Sequence, residues 1–381
     1  MHGVPTLRAS GGLSLPTSYA PPVAAIKASP TTPVVDPAPP VDHGGFGTTA
    51  ALSPARRFAR AAVTPVLGYA IAVAVVVLLV FTLPRAVPGD PLAQFLDSED
   101  HPLPPAERAQ LAAYYGLDRP LLSQFGHYVA GLSHGDLGQS ISYGSPVRRV
   151  IGEALPWTLL LSLTALTASS ILSFTAGIDA AWKRGSFRDR RLLVLMTTLH
   201  AIPDFVIGIA LLICFGVLIP LFPIGASQTP FHETAGMLWK VRDIAEHLAL
   251  PAVALTLGLV GTKFLLVRNT TISALGQDYM VLARAKGLPD RRAKYHHAGR
   301  NSLLPFLASL GMQIGFAFGG SLFVETVFAY KGMGSVLQKA VGTKDFPLVQ
   351  GSFLILAVVV LTANLAVDLL SAALDPRIRA E

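Results

Sequence analysis

Cys214 is the single cysteine among 381 residues, which excludes a disulfide within the chain and any cysteine-built metal cluster. It lies in an apolar run and is expected to act as a small buried apolar side chain. Charge is scarce too. Asp, Glu, Lys and Arg make up 14% of the chain against 51% hydrophobic residues, and the mean hydropathy is +0.52. Such a chain is too apolar for an ordinary soluble domain and reads as an integral membrane protein. Catalytic signatures are missing. There is no Gly-x-x-x-x-Gly-Lys-Ser/Thr phosphate loop; the nearest stretch, Gly258-Leu-Val-Gly261-Thr262-Lys263, has the wrong spacing and sits inside an apolar run. No His-Glu-x-x-His zinc helix and no Gly-x-Ser-x-Gly elbow occur. Neighbouring His296 and His297 would point to different sides of a helix, so no shared metal, and no metal site at all, is expected.

What the chain does have is long apolar runs. Six are long enough to cross a bilayer, which takes about 20 helical residues: Ala62 to Leu83, Trp157 to Ala181, Leu192 to Leu221, Leu248 to Val267, Leu303 to Phe328, and Leu348 to Leu374. Residues 1–54 are rich in Pro, Ala, Ser, Thr and Gly without apolar periodicity and are expected to form a disordered tail. They are not a secretory signal, since the apolar run comes too late, is too long, and has no small-residue cleavage site behind it. The first span then occupies 55–83, an external helical loop 84–153, and the transmembrane core 154–379. Within the loop, Pro91, Pro102, Pro104, Pro105 and Pro120 interrupt the chain, while Pro105 to Tyr115 and Leu121 to Leu132 read as helices of a small external cap.

Lys and Arg set the orientation, because short loops rich in them stay cytoplasmic. With the amino terminus inside, Lys183, Arg184, Arg188, Arg190 and Arg191 fall inside, as do Arg268, Arg284, Lys286, Arg291, Arg292, Lys294 and Arg300. Arg56, Arg57 and Arg60 join them, with Arg377 and Arg379. Arg85, Arg108, Arg119, Arg148, Arg149, Lys240, Arg242, Lys331, Lys339 and Lys344 are left outside, spread over longer loops. Both termini are therefore expected in the cytoplasm of a multi-pass cell-membrane protein. The same bias accounts for the net charge of +7 without nucleic acid as a partner; the partner of this surface is lipid.

Between the fourth and fifth runs lies a basic, helix-compatible stretch, Asp278 to Pro305, longer than a membrane-helix connection needs. Tyr279 to Lys286 reads as helix, and Gly287 can take the left-handed conformation that ends it. Pro289 suits the first turn of a second helix, with Asp290 meeting its positive end. Two short helices around a Gly-Leu-Pro corner make a cytoplasmic docking hairpin.

Polar residues inside the spans carry a functional prior, because a charge in lipid is costly. Asp179 and Lys263 fall near cytoplasmic ends, where reaching the interface explains them equally well. Asp204 is deeper and follows Pro203, which frees backbone groups, so both suit a water-lined path. Asp368 and Asn364 share a face of the last span and read as interhelical hydrogen-bond partners. Gly311, Gly315 and Gly319 leave one face of the fifth span as bare backbone, suited to close helix packing. Glu325, near the outer end, is either a gate residue or interfacial. An ion-coupled secondary transporter using Asp179, Asp204 and Asp368 is the competing class, against which the ordered hairpin argues. An intramembrane aspartic hydrolase needs facing carboxylates, and Asp179 and Asp204 fall near opposite membrane faces.

Val281-Leu-Ala-Arg-Ala-Lys-Gly287, with His297-Ala-Gly-Arg300-Asn301 and Leu304-Pro305 behind it, resembles the coupling motif of ABC importer permeases of the peptide and nickel branch. Arg85-Ala-Val-Pro88-Gly89-Asp90-Pro91, Tyr115-Gly-Leu-Asp118-Arg119-Pro120, Gly135-Asp136-Leu-Gly138-Gln-Ser140 and Gln277-Asp278-Tyr279 agree with it. So do Val324-Glu325-Thr-Val-Phe328, Val349-Gln350-Gly351 and Leu374-Asp375-Pro376-Arg377, so that the likeness covers about residues 56 to 379. The resemblance implies an all-α, type I permease fold with six transmembrane helices and a cytoplasmic coupling hairpin. It implies half of a path for short peptides or similar small polar solutes, with a nickel chelate as the alternative cargo. It further implies a second homologous permease chain, two cytoplasmic ATPases that hold ATP and magnesium, and an extracytoplasmic binding protein; this chain would be non-catalytic, bind no cofactor and be the permease with the large loop after its first span. The coupling role falls on Asp278, Tyr279, Ala283, Gly287, Leu288 and Pro289. Val281 and Leu282 stand where the broader motif has Glu and Ala, so the grip is expected to rest on packing around Tyr279, Ala283 and the Gly-Leu-Pro corner. Asp204 stands where a small polar residue is expected.

Overall fold

The computed structural model describes residues 54–86, 119–230 and 236–374, together with positions 104, 106 and 110. The expected tail at 1–54 and the helix at 105–115 lie almost wholly outside the described residues. Among the described residues the regular elements are helices apart from one hairpin of two-residue strands. Helix α1 (Pro54–Ala86) is followed by α2 (Leu121–Ser133), then β1 (Gln139–Ser140) antiparallel to β2 (Ser145–Pro146), paired Gln139 to Pro146 and Ser140 to Ser145. Next come α3 (Val147–Trp182), α4 (Phe187–Ala201) and α5 (Asp204–Leu212), which runs on as a π-helical turn, Ile213–Leu218. Helix α6 (Met237–Leu275) leads to α7 (Asp278–Ala285), then α8 (Asp290–Arg292) and a π-helical segment, Ala293–Gly299, that feeds α9 (Arg300–Val327). Helices α10 (Met333–Gly342) and α11 (Phe346–Leu374) complete the chain.

Five of these helices are long and apolar enough to cross a membrane on their own, and six crossings result if the bent pair α4 and α5 is taken as one. The third span is thus not the straight helix expected between Leu192 and Leu221: it bends by 96°. Its cause is local. The residue before a proline is pushed out of the helical region, and Ile202 is extended at φ −92°, ψ 124°, leaving Pro203 to start the second limb.

Two helices are longer than their apolar runs. Helix α3 begins at Val147, inside the stretch read as external loop, because Val147, Val150, Ile151 and Ala154 form a buried stripe while Arg148, Arg149 and Glu153 face out. An average over the whole stretch hides such a stripe. Helix α6 likewise starts at Met237 rather than near Leu248, with Asp243 and His247 on its buried side.

The core has two main parts. One gathers Leu161 and Ala165 of α3, Leu255 and Leu259 of α6, and Val324, Phe328 and Tyr330 at the end of α9. The other joins Val147 and Ile151 of α3 to Ile314 and Phe318 of α9, Met333 and Val336 of α10, and Leu348 of α11. Helix α3 belongs to both, so it runs the full depth of the bundle, about 54 Å at 1.5 Å per residue. Helix α1 lies on the outside against α11, where Tyr69 and Thr362 share a hydroxyl hydrogen bond of 3.2 Å.

Candidate functional site

The hairpin between α6 and α9 closes on itself. Helix α7 ends where Leu288 N donates to Ala283 O at 3.3 Å and Gly287 N to Arg284 O at 2.9 Å. This pair of bonds is the Schellman motif, and it needs a left-handed residue at the first position past the cap. Gly287 supplies it at φ +69°. Pro289 sits one residue before the next helix, as its cap, and Asp290 opens the first turn. The two limbs are held by a small apolar cluster of Ala274, Met280, Ala293 and Ala298, backed by Trp182, Leu275 and Tyr279. Asn301 donates a short hydrogen bond to the Tyr279 hydroxyl.

These contacts divide the six hairpin residues. Ala283 is buried, 5% exposed, and Tyr279 is half-buried against Asn301. Asp278, Gly287 and Pro289 are exposed, and Leu288 is half-buried. The large apolar side chains that α7 turns outward are Val281, 66% exposed, and Leu282, 56% exposed. The signal was in the sequence: a helix that buries Met280 and Ala283 on one side must show residues 281 and 282 on the other. His296 and His297 meet edge to face with ring centroids 5.4 Å apart, instead of pointing apart. Among the described residues no group of three or more His, Cys, Asp or Glu side chains could hold a metal ion.

The bend at Pro203 forms a second polar locus. Asp204 starts α5, its Oδ1 accepts from Phe205 N at 2.9 Å, and it is half-buried without an ion pair among the described residues. Its room comes from two glycines that sequence reasoning did not single out for it. A Cβ at Gly258 of α6 would lie 2.8 Å from the Asp204 Cβ, and one at Gly320 of α9 would collide with Oδ2. Gly261 does the same for the other limb of the bend, where a Cβ would stand 2.6 Å from Met196 O. The glycines of the false phosphate loop thus let α4 and α5 lie against α6.

Other intramembrane residues differ from expectation. Lys263 does not reach the interface: it is fully buried and donates to Ser169 Oγ of α3 at 2.6 Å. Glu325 is fully buried as well, and Oε2 accepts from Gly334 N at 2.6 Å at the start of α10. Gly332 and Gly334 leave the space that this carboxylate fills. Gly311 and Gly315 come within contact range of Asn364 and Val360 of α11, but a Cβ at Gly319 would meet nothing within 4 Å, so the bare stripe ends one turn early. Asn364 Oδ1 lacks a hydrogen-bond partner and Asp368 is exposed, so the expected bonding by that pair is not formed. Cys214 is exposed, because the π-helical turn at Ile213–Leu218 faces it outward.

An all-helical, multi-pass bundle with a rigid polar hairpin at one end and a bent span through its middle defines a membrane permease. The chain belongs to the family of binding-protein-dependent transport system inner membrane components, whose model matches residues 171–380. It is 34% identical over 303 residues to a putative peptide permease protein of Brucella ovis, covering 79% of this chain and 93% of the relative. It is 33% identical over 320 residues to the dipeptide transport system permease protein of Escherichia coli K12, and 32% identical over 304 residues to the oligopeptide transport system permease protein of Bacillus subtilis. Each of those two matches covers 80% of this chain and 94% of the relative.

Proposed function

We propose that this chain is the membrane-spanning half of an ATP-driven importer of short peptides, and that partner ATPases dock on its 278–305 hairpin. The outward-facing pair Val281 and Leu282 carries the reading. Two large apolar side chains more than half exposed on a charged hairpin that is already internally packed are what a docking face presents to a partner cleft. Where the wider motif has an acid, the contact here is apolar. Kinship with peptide, dipeptide and oligopeptide permeases supports the cargo.

Around this hairpin we place two ATPases carrying ATP and magnesium, a second homologous permease completing the path, and an extracytoplasmic binding protein that delivers the peptide. The chain itself is non-catalytic in this scheme. Lys and Arg weight at the hairpin end supports cytoplasmic termini in this scheme. Pro203 and Asp204 we assign to the wall of the path, since a bent span exposes backbone and a carboxylate at mid-depth only where water can reach them.

The test is capture of the ATPases. Val281→Asp with Leu282→Glu places charge on the docking face without touching Met280 or Ala283, and should reduce ATPase co-purification about tenfold or more, as hot-spot losses do. Normal capture by this variant would overturn the docking face. Dipeptide uptake into vesicles that follows an ion gradient with no ATPases present would overturn the ATP-driven class.

A further inference from the structure

The returning limb of the hairpin packs on α6 and on α3, and the last turn of α3 holds it by three kinds of contact at neighbouring residues. Ile178, fully buried, enters the bare backbone of Gly299, where a Cβ would stand 2.8 Å from its Cδ1. Asp179 Oδ1 accepts from Tyr295 Oη at 3.0 Å and makes a short ion pair with Lys294 Nζ, and its Oδ2 lies 3.4 Å from Arg188. Trp182 packs on the apolar cluster that joins the two limbs, and the Arg284 guanidinium of α7 lies 5.7 Å over its ring. The segment that makes most of these contacts, Ala293–Gly299, is π-helical. Such wide turns persist where a local function needs them.

Helix α3 is continuous from this latch to the far end of the bundle. There Val147 is fully buried and packs into Gly351 of α11, where a Cβ would stand 2.6 Å away. The turn just before it is tied to α11 through Asp345, which accepts from Ser140 Oγ at 2.6 Å and Ser142 Oγ at 2.7 Å. One continuous helix, with Pro156 inside it, thus joins the hairpin to the Gly135-to-Ser140 motif at the opposite end.

We propose that the last turn of α3 is the latch through which hairpin movement enters the bundle, with Asp179 as its positioning residue. The inference rests on the hairpin being the ATPase dock. A helix gripped at its end by packing and by a charge cluster moves as a unit with whatever grips it, which is the condition for rigid-body transmission. Asp179 touches neither cargo nor nucleotide in this scheme. Its effect is on how much transport each hydrolysis event yields.

Asp179→Lys, Lys294→Asp and the two combined, assembled with the ATPases in proteoliposomes, test the latch. Each single change places like charges together and should lower peptide transported per ATP hydrolysed about tenfold, the scale of a lost charge-assisted contact. The double change restores opposite signs and should recover the ratio to within about twofold. Normal ratios in both single variants, or no recovery in the double variant, would overturn the latch. ATPase co-purification is read on the same samples. A wild-type complex that captures no ATPase would overturn the docking reading and the latch with it, whereas normal capture with normal ratios would overturn the latch alone.

Discussion

Carboxylates at the two ends of the bundle are satisfied in opposite ways. Away from the hairpin, Asp345 is fully buried and held by neutral donors: it accepts from two serine hydroxyls, from Ser142 N at 2.9 Å and from Leu348 N at 3.2 Å. Glu325, also at that end, takes the Gly334 amide. Near the hairpin, Asp179 gathers Lys294 and Arg188, and Asp189 holds Arg268 through Nε at 2.8 Å and Nη2 at 2.9 Å. Neutral donors fix a loop in one geometry and do not respond to charge. Cationic partners belong to other helices and can exchange or separate, which suits the end that has to move. The Tyr143 phenol beside Asp345 is itself raised above its ordinary pKa, by burial first and by that carboxylate second, so it too stays uncharged.

The comparison is broken most severely at Asp345. Asp345→Ala strands four donors at once, two hydroxyls and two amides. Each stranded donor costs roughly 1 kcal/mol or more, so the loss should reach about 4 kcal/mol after relaxation. The midpoint of thermal unfolding in detergent would report it. Asp189→Ala comes next, at roughly 3 kcal/mol, because Arg268 is left largely buried and unpaired. Here a second change sharpens the contrast. Asp189→Leu combined with Arg268→Met should recover most of the loss, since an apolar pair can replace a buried ion pair. No single partner change can do the same for Asp345, whose donors include backbone amides. Recovery in neither case, or in both, would remove the distinction between the two ends.

How far the sequence foretold this depends on whether a feature is local. The Gly287 corner was readable because a Schellman turn is written in a few consecutive residues, and the apolar runs announced the crossings. The 96° bend was not, although Pro203 was seen: a proline marks where a helix can break, and the bend also needs Gly258, Gly261 and Gly320 to receive the two limbs. Those glycines lie on two other helices. Ala283 was assigned to partner contact because the motif includes it, and in the fold it is buried, 5% exposed. Glu325 was read from its depth alone as a gate or interfacial residue, and only the approach of Gly332 and Gly334 shows its bond to the first turn of α10. Asp179 was visible as a charge near an interface, while its partners Lys294 and Tyr295, 115 and 116 positions away, were not.

The smallest effect separates the two ends without any mutation. Raising salt from about 0.1 M to about 1 M shortens the screening length from about 10 Å to about 3 Å, which weakens ion pairs in contact with water and leaves neutral buried bonds alone. Asp179 keeps 25% of its side chain exposed and Arg188 keeps 60%, so this cluster is partly open to ions. Its loss should stay below about 1 kcal/mol, as for other partly exposed pairs. Amide hydrogen exchange across 293–299 should accordingly speed up by a few-fold at high salt, while exchange across 139–146, held by Asp345, should not change. Equal acceleration at both ends would show that the ions act on the whole bundle. No acceleration at 293–299 would show that Ile178 and Trp182 hold the returning limb without help from Asp179.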